Sequence, residues 1–173
     1  MFRKTSFVLT LLLALGIASA LSAQTAPRYG HMNLGNLLEE LPETKTANES
    51  LKVFADKLSA TDDSLTRAFQ TAYSALEAEY KAGGLTPVQA QKRQEELQKQ
   101  QEFIQKFEQE AQQKVSDKRD ELLKPILAKI NDAIKAVAKE AGYAMIFDTS
   151  SGVMLFAADT EDVTALVKKK LGI

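Results

Sequence analysis

The chain contains no cysteine and one histidine, His31. Without a thiol there is no disulfide staple and no Cys nucleophile, and one imidazole is too few for a His-rich metal site. A Ser-His-Asp triad would have to rest on His31, which sits in "RYGHMNL", a stretch that reads as a strand. Neither sign of charge is in excess, with 22 Lys and Arg against 23 Asp and Glu. That balance gives no reason to invoke nucleic acid. Long apolar runs are also missing except at the N-terminus, so nothing downstream is expected to span a membrane.

The N-terminal run is "MFRKTSFVLTLLLALGIASALSAQ". Two cations, Arg3 and Lys4, precede a Leu/Ala-rich stretch, and small residues follow between Ala18 and Ala23. This order predicts a cleaved secretory signal, residues 1–23, and an exported mature chain. Thr10, Gly16 and Ser19 dilute the run too much for a membrane anchor, and no cysteine near the cut offers a lipid anchor. Residues 24–173 form one domain of about 150 residues. Removing Arg3 and Lys4 leaves 20 basic against 23 acidic residues, a mature charge of about minus three.

Most of the mature chain is written in helical code. After the strand, "LGNLLEEL" places Leu34, Leu37, Leu38 and Leu41 at helical spacing, and Pro42 interrupts it. From Glu43 to Ala82, apolar residues recur at steps of three, four or seven, the seam of a coiled coil. "AGGLTP", residues 82–87, stops the seam with two glycines and restarts a helix at Thr86 and Pro87. It lacks the Lys and Ser/Thr of a phosphate loop, so it is a turn. A second seam runs from Leu97 to Ala141 and ends at Gly142, a left-handed stop.

Two long helices on a tight turn fold back on each other. With the turn near residue 84 or 85, facing positions sum to about 169. Leu65 then meets Ile104, Leu58 meets Ala111 and Ala47 meets Leu122. Pro42 and Pro125 fall at nearly the same height and predict a hinge where each removes a helical hydrogen bond. The predicted architecture is α+β and mostly α. A helical hairpin arm of residues 43–125 stands on a body made of residues 28–41 and 126–173, and at about 1.5 Å per residue the arm is some 60 Å long.

The body ends in "GYAMIFDTSSGVMLFA", residues 142–157, where two apolar runs flank a polar turn and predict a β-hairpin. The runs do not alternate, so both faces need cover. A last helix, capped by Asp159 or Thr160, covers one face together with the flanking body helices. The other face is expected to be covered by further copies of the chain. Met145, Ile146, Phe147, Val153, Leu155 and Phe156 are the oligomerisation candidates.

Along the arm, carboxylate pairs such as Asp62-Asp63, Glu95-Glu96 and Glu108-Glu110 read as solvated charges, with no pocket for paired acid chemistry. No enzyme activity and no cofactor is expected. Phe69 and Phe107 face Gln100 and Asp62, and Tyr73, Tyr80 and Phe103 sit beside the seam. These five either pad the coiled coil or offer apolar contacts to something held between arms.

The signal, "RYGHMNLGNLLEELPETKTANESLKVFADKL", the Gln/Lys/Glu-rich hairpin, "PILAKINDAIKAVAKEAGYAMIFD" and "SSGVMLFAADTEDVTALVKKKL" together resemble the Skp/OmpH family of periplasmic chaperones. The resemblance covers essentially the whole mature chain and is most specific at its two terminal pieces. It implies a homotrimer in which strands of three chains build a β-barrel and three arms surround a cavity. It also implies an ATP-independent holdase for unfolded outer-membrane β-barrel proteins. The mature chain departs from the basic character of well-known members and shows no basic lipid-binding motif, so lipopolysaccharide or membrane-surface binding is not carried over. The alternative reading is a structural coiled-coil spacer or adaptor of the cell envelope that binds a folded partner.

Overall fold

The computed structural model describes residues 26–173, and the expected signal lies outside the described residues. The elements are β1 (Arg28–Met32), α1 (Leu34–Glu40), α2 (Pro42–Lys81), α3 (Pro87–Ala141), β2 (Tyr143–Asp148), a 3-10 turn at Asp159–Glu161 and α4 (Thr164–Leu171).

Local chemistry sets most helix ends. The Asn33 side chain accepts from the amide of Asn36 and caps α1. Leu41 separates α1 from α2, and Pro42 opens α2 at a position where its missing N–H is not needed. α3 opens on a capping box in which Thr86 and Gln89 satisfy each other's backbone amides. It closes at Gly142, which adopts φ 73°. At about 1.5 Å per residue, the 40 residues of α2 span roughly 60 Å. α3 is longer, 55 residues, and so reaches back past the start of α2 into the body.

The two helices pack as the facing scheme predicts. Leu58 and Ala111 line one groove between them, Leu65 and Ile104 another, and Ala47 and Leu122 a third. Ion pairs between Glu43 and Lys129 (2.6 Å) and between Glu79 and Arg93 (3.5 Å) bridge the helices near the two ends of the arm.

The strands depart from expectation. Residues 143–148 do form a strand, but residues 153–158 do not, so no hairpin forms within the chain. β2 instead pairs in parallel with β1, Gly30 opposite Ile146 and Met32 opposite Asp148. The "TSSG" turn is present, with the Gly152 amide donating to the Thr149 carbonyl, yet the chain beyond it forms no ladder with β2. A parallel pair needs a long crossover, and here the whole arm provides it. The register leaves no space at Gly30, where a Cβ would lie 3.0 Å from Val163 Cγ1 and 3.2 Å from the Tyr143 ring.

The C-terminal helix also begins later than expected. Residues 159–161 make a 3-10 turn, and α4 starts at Thr164 with the Asp162 carboxylate accepting from its amide at 2.7 Å. Val163 holds the N-cap position without a side-chain bond and Asp162, just before it, supplies the acceptor, so neither Asp159 nor Thr160 is the cap.

The core lies on the inner face of the sheet. Met32, Leu37, Leu41, Ile130, Val163 and Val167 are the largest fully buried side chains, contributed by β1, α1, α3, α4 and the connections beside them. On α3 the buried positions Ile126, Ile130, Ala133 and Val137 form one stripe, while Leu127 stays exposed. Ile146 packs against this core from β2.

Candidate functional site: an exposed apolar face and an aromatic groove on the arm

Two surfaces hold the residues singled out from the sequence. The first is the outer face of the sheet. Paired residues in a parallel ladder point to the same side, so Tyr29 and Met145, then His31 and Phe147, share the face opposite the core. Tyr29, Met145 and Phe147 are exposed, and the Tyr29 and Phe147 rings lie 6.4 Å apart. The segment after the turn passes beside them. Met154, Phe156 and Ala157 line a groove of about 380 Å³ with Tyr29, His31 and Phe147.

Val153, Leu155 and Phe156 are 83%, 98% and 85% exposed, the largest exposures of the large apolar side chains among the described residues. Of the six oligomerisation candidates, five therefore present apolar surface to solvent in the single chain. Ile146 is the exception, since it is turned to the core. The free edge of β2 adds unpaired backbone groups to the same surface, because the described sheet has two strands only.

A set of polar contacts pins this surface to the body. Asp148 ends β2 and accepts from the Leu34 amide (3.1 Å), the Ser150 amide (2.9 Å) and the Ser150 hydroxyl (2.7 Å). Partial burial works against its charge, but these hydrogen bonds outweigh that and hold the carboxyl below its ordinary pKa. His31 Nε2 donates to the Ala158 carbonyl at 3.0 Å, and the Val163 amide donates to the His31 carbonyl at 2.9 Å. Arg28 donates to Ala141, Tyr143 and Glu161 and sits 4.5 Å over the Tyr143 ring. Tyr143 and Arg28 together hold the Glu161 carboxyl below its ordinary pKa. The single histidine thus serves a backbone contact. Sequence reasoning placed it in a strand but had no signal for its partner 127 residues away.

The second surface is near the arm tip. Phe69, Tyr73, Leu76 and Tyr80 of α2 face Ala90, Gln94, Leu97 and Gln101 of α3 across a groove of about 510 Å³. Leu97 is buried at its floor, whereas Tyr73 and Tyr80 are 55% and 71% exposed. The Phe69 and Tyr73 rings lie 6.3 Å apart. Three of the five aromatic candidates thus converge. Phe103 lines a separate groove with Leu65 and Ile104, and Phe107 is half-buried on α3.

At the base of the arm, Pro42 and Pro125 line one mostly apolar groove of about 510 Å³. The Lys129 to Glu43 pair crosses it, and Lys129 holds the Glu43 carboxyl below its ordinary pKa. α3 runs through Pro125 without ending. Among the described residues no group of three or more His, Cys, Asp or Glu is placed to hold a metal ion, and no helix is long and apolar enough to cross a membrane.

Comparison with known proteins agrees with this geometry. A chaperone protein Skp from Pectobacterium atrosepticum is 26% identical over 166 residues, covering 92% of this chain and 94% of its own length. A chaperone protein Skp from Yersinia enterocolitica is 28% identical over 170 residues, covering 91% and 94%. A crystal structure from Caulobacter crescentus, described as that of a candidate outer membrane chaperone (OmpH-like), superposes with a TM-score of 0.70 at 17% identity over 86% of both chains. The family described as Outer membrane protein (OmpH-like) matches residues 28–171, nearly everything from the first strand to the last helix, and the chain belongs to it.

Proposed function

We propose that the protein is an ATP-independent holdase chaperone of the periplasm. It works as a homotrimer that encloses unfolded outer-membrane β-barrel proteins between its arms. The observation that carries this reading is the division of exposed apolar surface into two sets on one OmpH-like chain. One set, on the sheet face, is large and continuous with an open strand edge, as an interface between copies needs to be. The other, on the arm, is an aromatic groove near the tip with single aromatics elsewhere above a thin seam, which suits many weak contacts with an unstructured client. The names of the two Skp relatives support a chaperone role.

In this reading residues 1–23 are the export signal, residues 28–41 and 126–173 the assembling body, and residues 43–125 the arm, hinged at Pro42 and Pro125. Met145, Phe147, Val153, Leu155 and Phe156 meet neighbouring copies. Ile146 joins them only through the core it supports. Phe69, Tyr73, Tyr80, Phe103 and Phe107 meet the client. No catalytic step and no cofactor enters.

Native mass spectra of the mature protein test this, taken alone and after dilution of an unfolded outer-membrane β-barrel into it. The expected species are a trimer and a trimer carrying one client chain. Leu155→Asp, at a site with no neighbours to lose, should give monomer with an unchanged helix signal. A trimer that ignores every unfolded barrel offered would move the reading to a structural spacer.

A further inference from the structure

We propose that the groove near the arm tip binds its client as an extended strand and recognises the client's backbone. This rests on the holdase reading and names the form of substrate that the groove takes. On α2, Phe69, Tyr73 and Tyr80 are spaced four and seven residues apart, so they stand on one face over about 16 Å. That length matches about five residues of extended chain at roughly 3.3 Å each. A helical client would satisfy its own backbone N–H and C=O groups internally and offer few of them to the groove.

The opposite wall decides the chemistry. Gln94, Gln98 and Gln101 of α3 line it. A carboxamide both donates and accepts, so a row of them can meet the alternating N–H and C=O groups of an unpaired strand. Gln98 donates to Glu102 at 3.1 Å, which leaves its carbonyl oxygen for an incoming N–H. The wall carries no cation, which disfavours phosphate or a lipid headgroup. The one charged lining residue, Glu77, is already paired with Lys81 at 2.9 Å. Aromatic faces opposite neutral amides accept many sequences while demanding an open backbone. Segments of an unfolded β-barrel, with alternate apolar side chains and unmet amides, have that form.

The probe is a labelled, uncharged ten-residue peptide alternating Phe or Val with Ser or Thr. It is compared with the same peptide N-methylated on alternate amides and with a stapled helical form of equal composition. All are titrated against the full mature protein. The unmodified peptide should bind best, and N-methylation should weaken it about tenfold. Tyr73→Ala with Tyr80→Ala should weaken all forms about tenfold. Gln94→Met with Gln101→Met should weaken the unmodified peptide and leave the N-methylated one unchanged. Equal binding of the N-methylated or the helical peptide would overturn the proposal. Capture of an unfolded barrel without any peptide binding at the groove overturns it too while leaving the holdase reading intact. Peptide binding without barrel capture keeps the groove and removes the holdase reading.

Discussion

The body and the arm share one helix, α3, but are held together in different ways. In the body, α3 meets α1, α4 and the sheet, and six large side chains are almost completely removed from water. Along the arm, α3 meets only α2, and the buried residues outside the body core reduce to Thr44 at its base and Leu97 near its tip. Seam residues such as Leu65 and Ile104 remain half-buried. Two helices in contact can cover one stripe of each other and no more. The two buried side-chain oxygens without hydrogen-bond partners among the described residues, Thr44 Oγ1 and Asp62 Oδ1, also lie on α2. Stability therefore concentrates at one end of the molecule, and the long end is left with surface to share.

The sharpest way to break this contrast is to cut matched cavities at each end. Leu37→Ala or Ile130→Ala in the body, at sites 0% and 1% exposed, should cost about 2–5 kcal/mol. Ile104→Ala, half-buried in the arm, should cost about 1 kcal/mol. Urea unfolding followed by circular dichroism at one fixed protein concentration compares them. Equal losses would mean that the arm carries as much of the stability as the body.

A smaller effect is expected at Asp148, where the body ties its second strand to α1. Its carboxyl has a lowered pKa in the folded chain, so its contribution is present above about pH 4 and is lost as the pH falls through the folded value. Asp148→Asn should cost about 1 kcal/mol at pH 7, a figure kept small because the group is partly solvated. The difference from the parent should shrink toward zero in acid, once the pH has fallen through the folded value. Urea midpoints at pH 7 and in acid measure it, and a gap that persists in acid would remove the charge from the explanation.

The smallest effect concerns the junction of the two regions. Glu43→Gln should loosen the strap that Lys129 makes across the groove between Pro42 and Pro125. Solution scattering should then show a modestly wider spread of arm positions. Salt of about 0.5 M should produce the same change in the parent by screening the exposed pair. An identical profile in all three samples would deny the pair any part in setting the arm angle.

The arm was almost fully legible in the residues. Pro42, the Thr86 cap with Pro87, and Gly142 each act within one helical turn, so their effect does not wait on the rest of the fold. The seven-residue spacing carried the facing of Leu65 with Ile104 and of Leu58 with Ala111, because two helices joined by a short turn have one register that buries both stripes. The aromatic groove was half legible. Phe69, Tyr73 and Tyr80 could be named as candidates, but the glutamines opposite them read only as polar surface until the two helices were set side by side.

The sheet was the least legible part. The runs 144–148 and 153–157 carry the local pattern of a hairpin, and local pattern is all that a turn and two apolar runs can express. The choice of partner is a long-range competition. β2 takes β1, 115 residues away at the Arg28 to Tyr143 pairing, because α3 delivers β2 to the body alongside β1. There Gly30 allows close approach of Tyr143 and Val163. The second run has no such neighbour and stays open. Helix limits, caps and the arm's seam thus follow from interactions between residues a few positions apart. Strand pairing, the inward turn of Ile146 and the exposure of Val153, Leu155 and Phe156 depend on which distant surfaces meet, and only the folded chain brings those together.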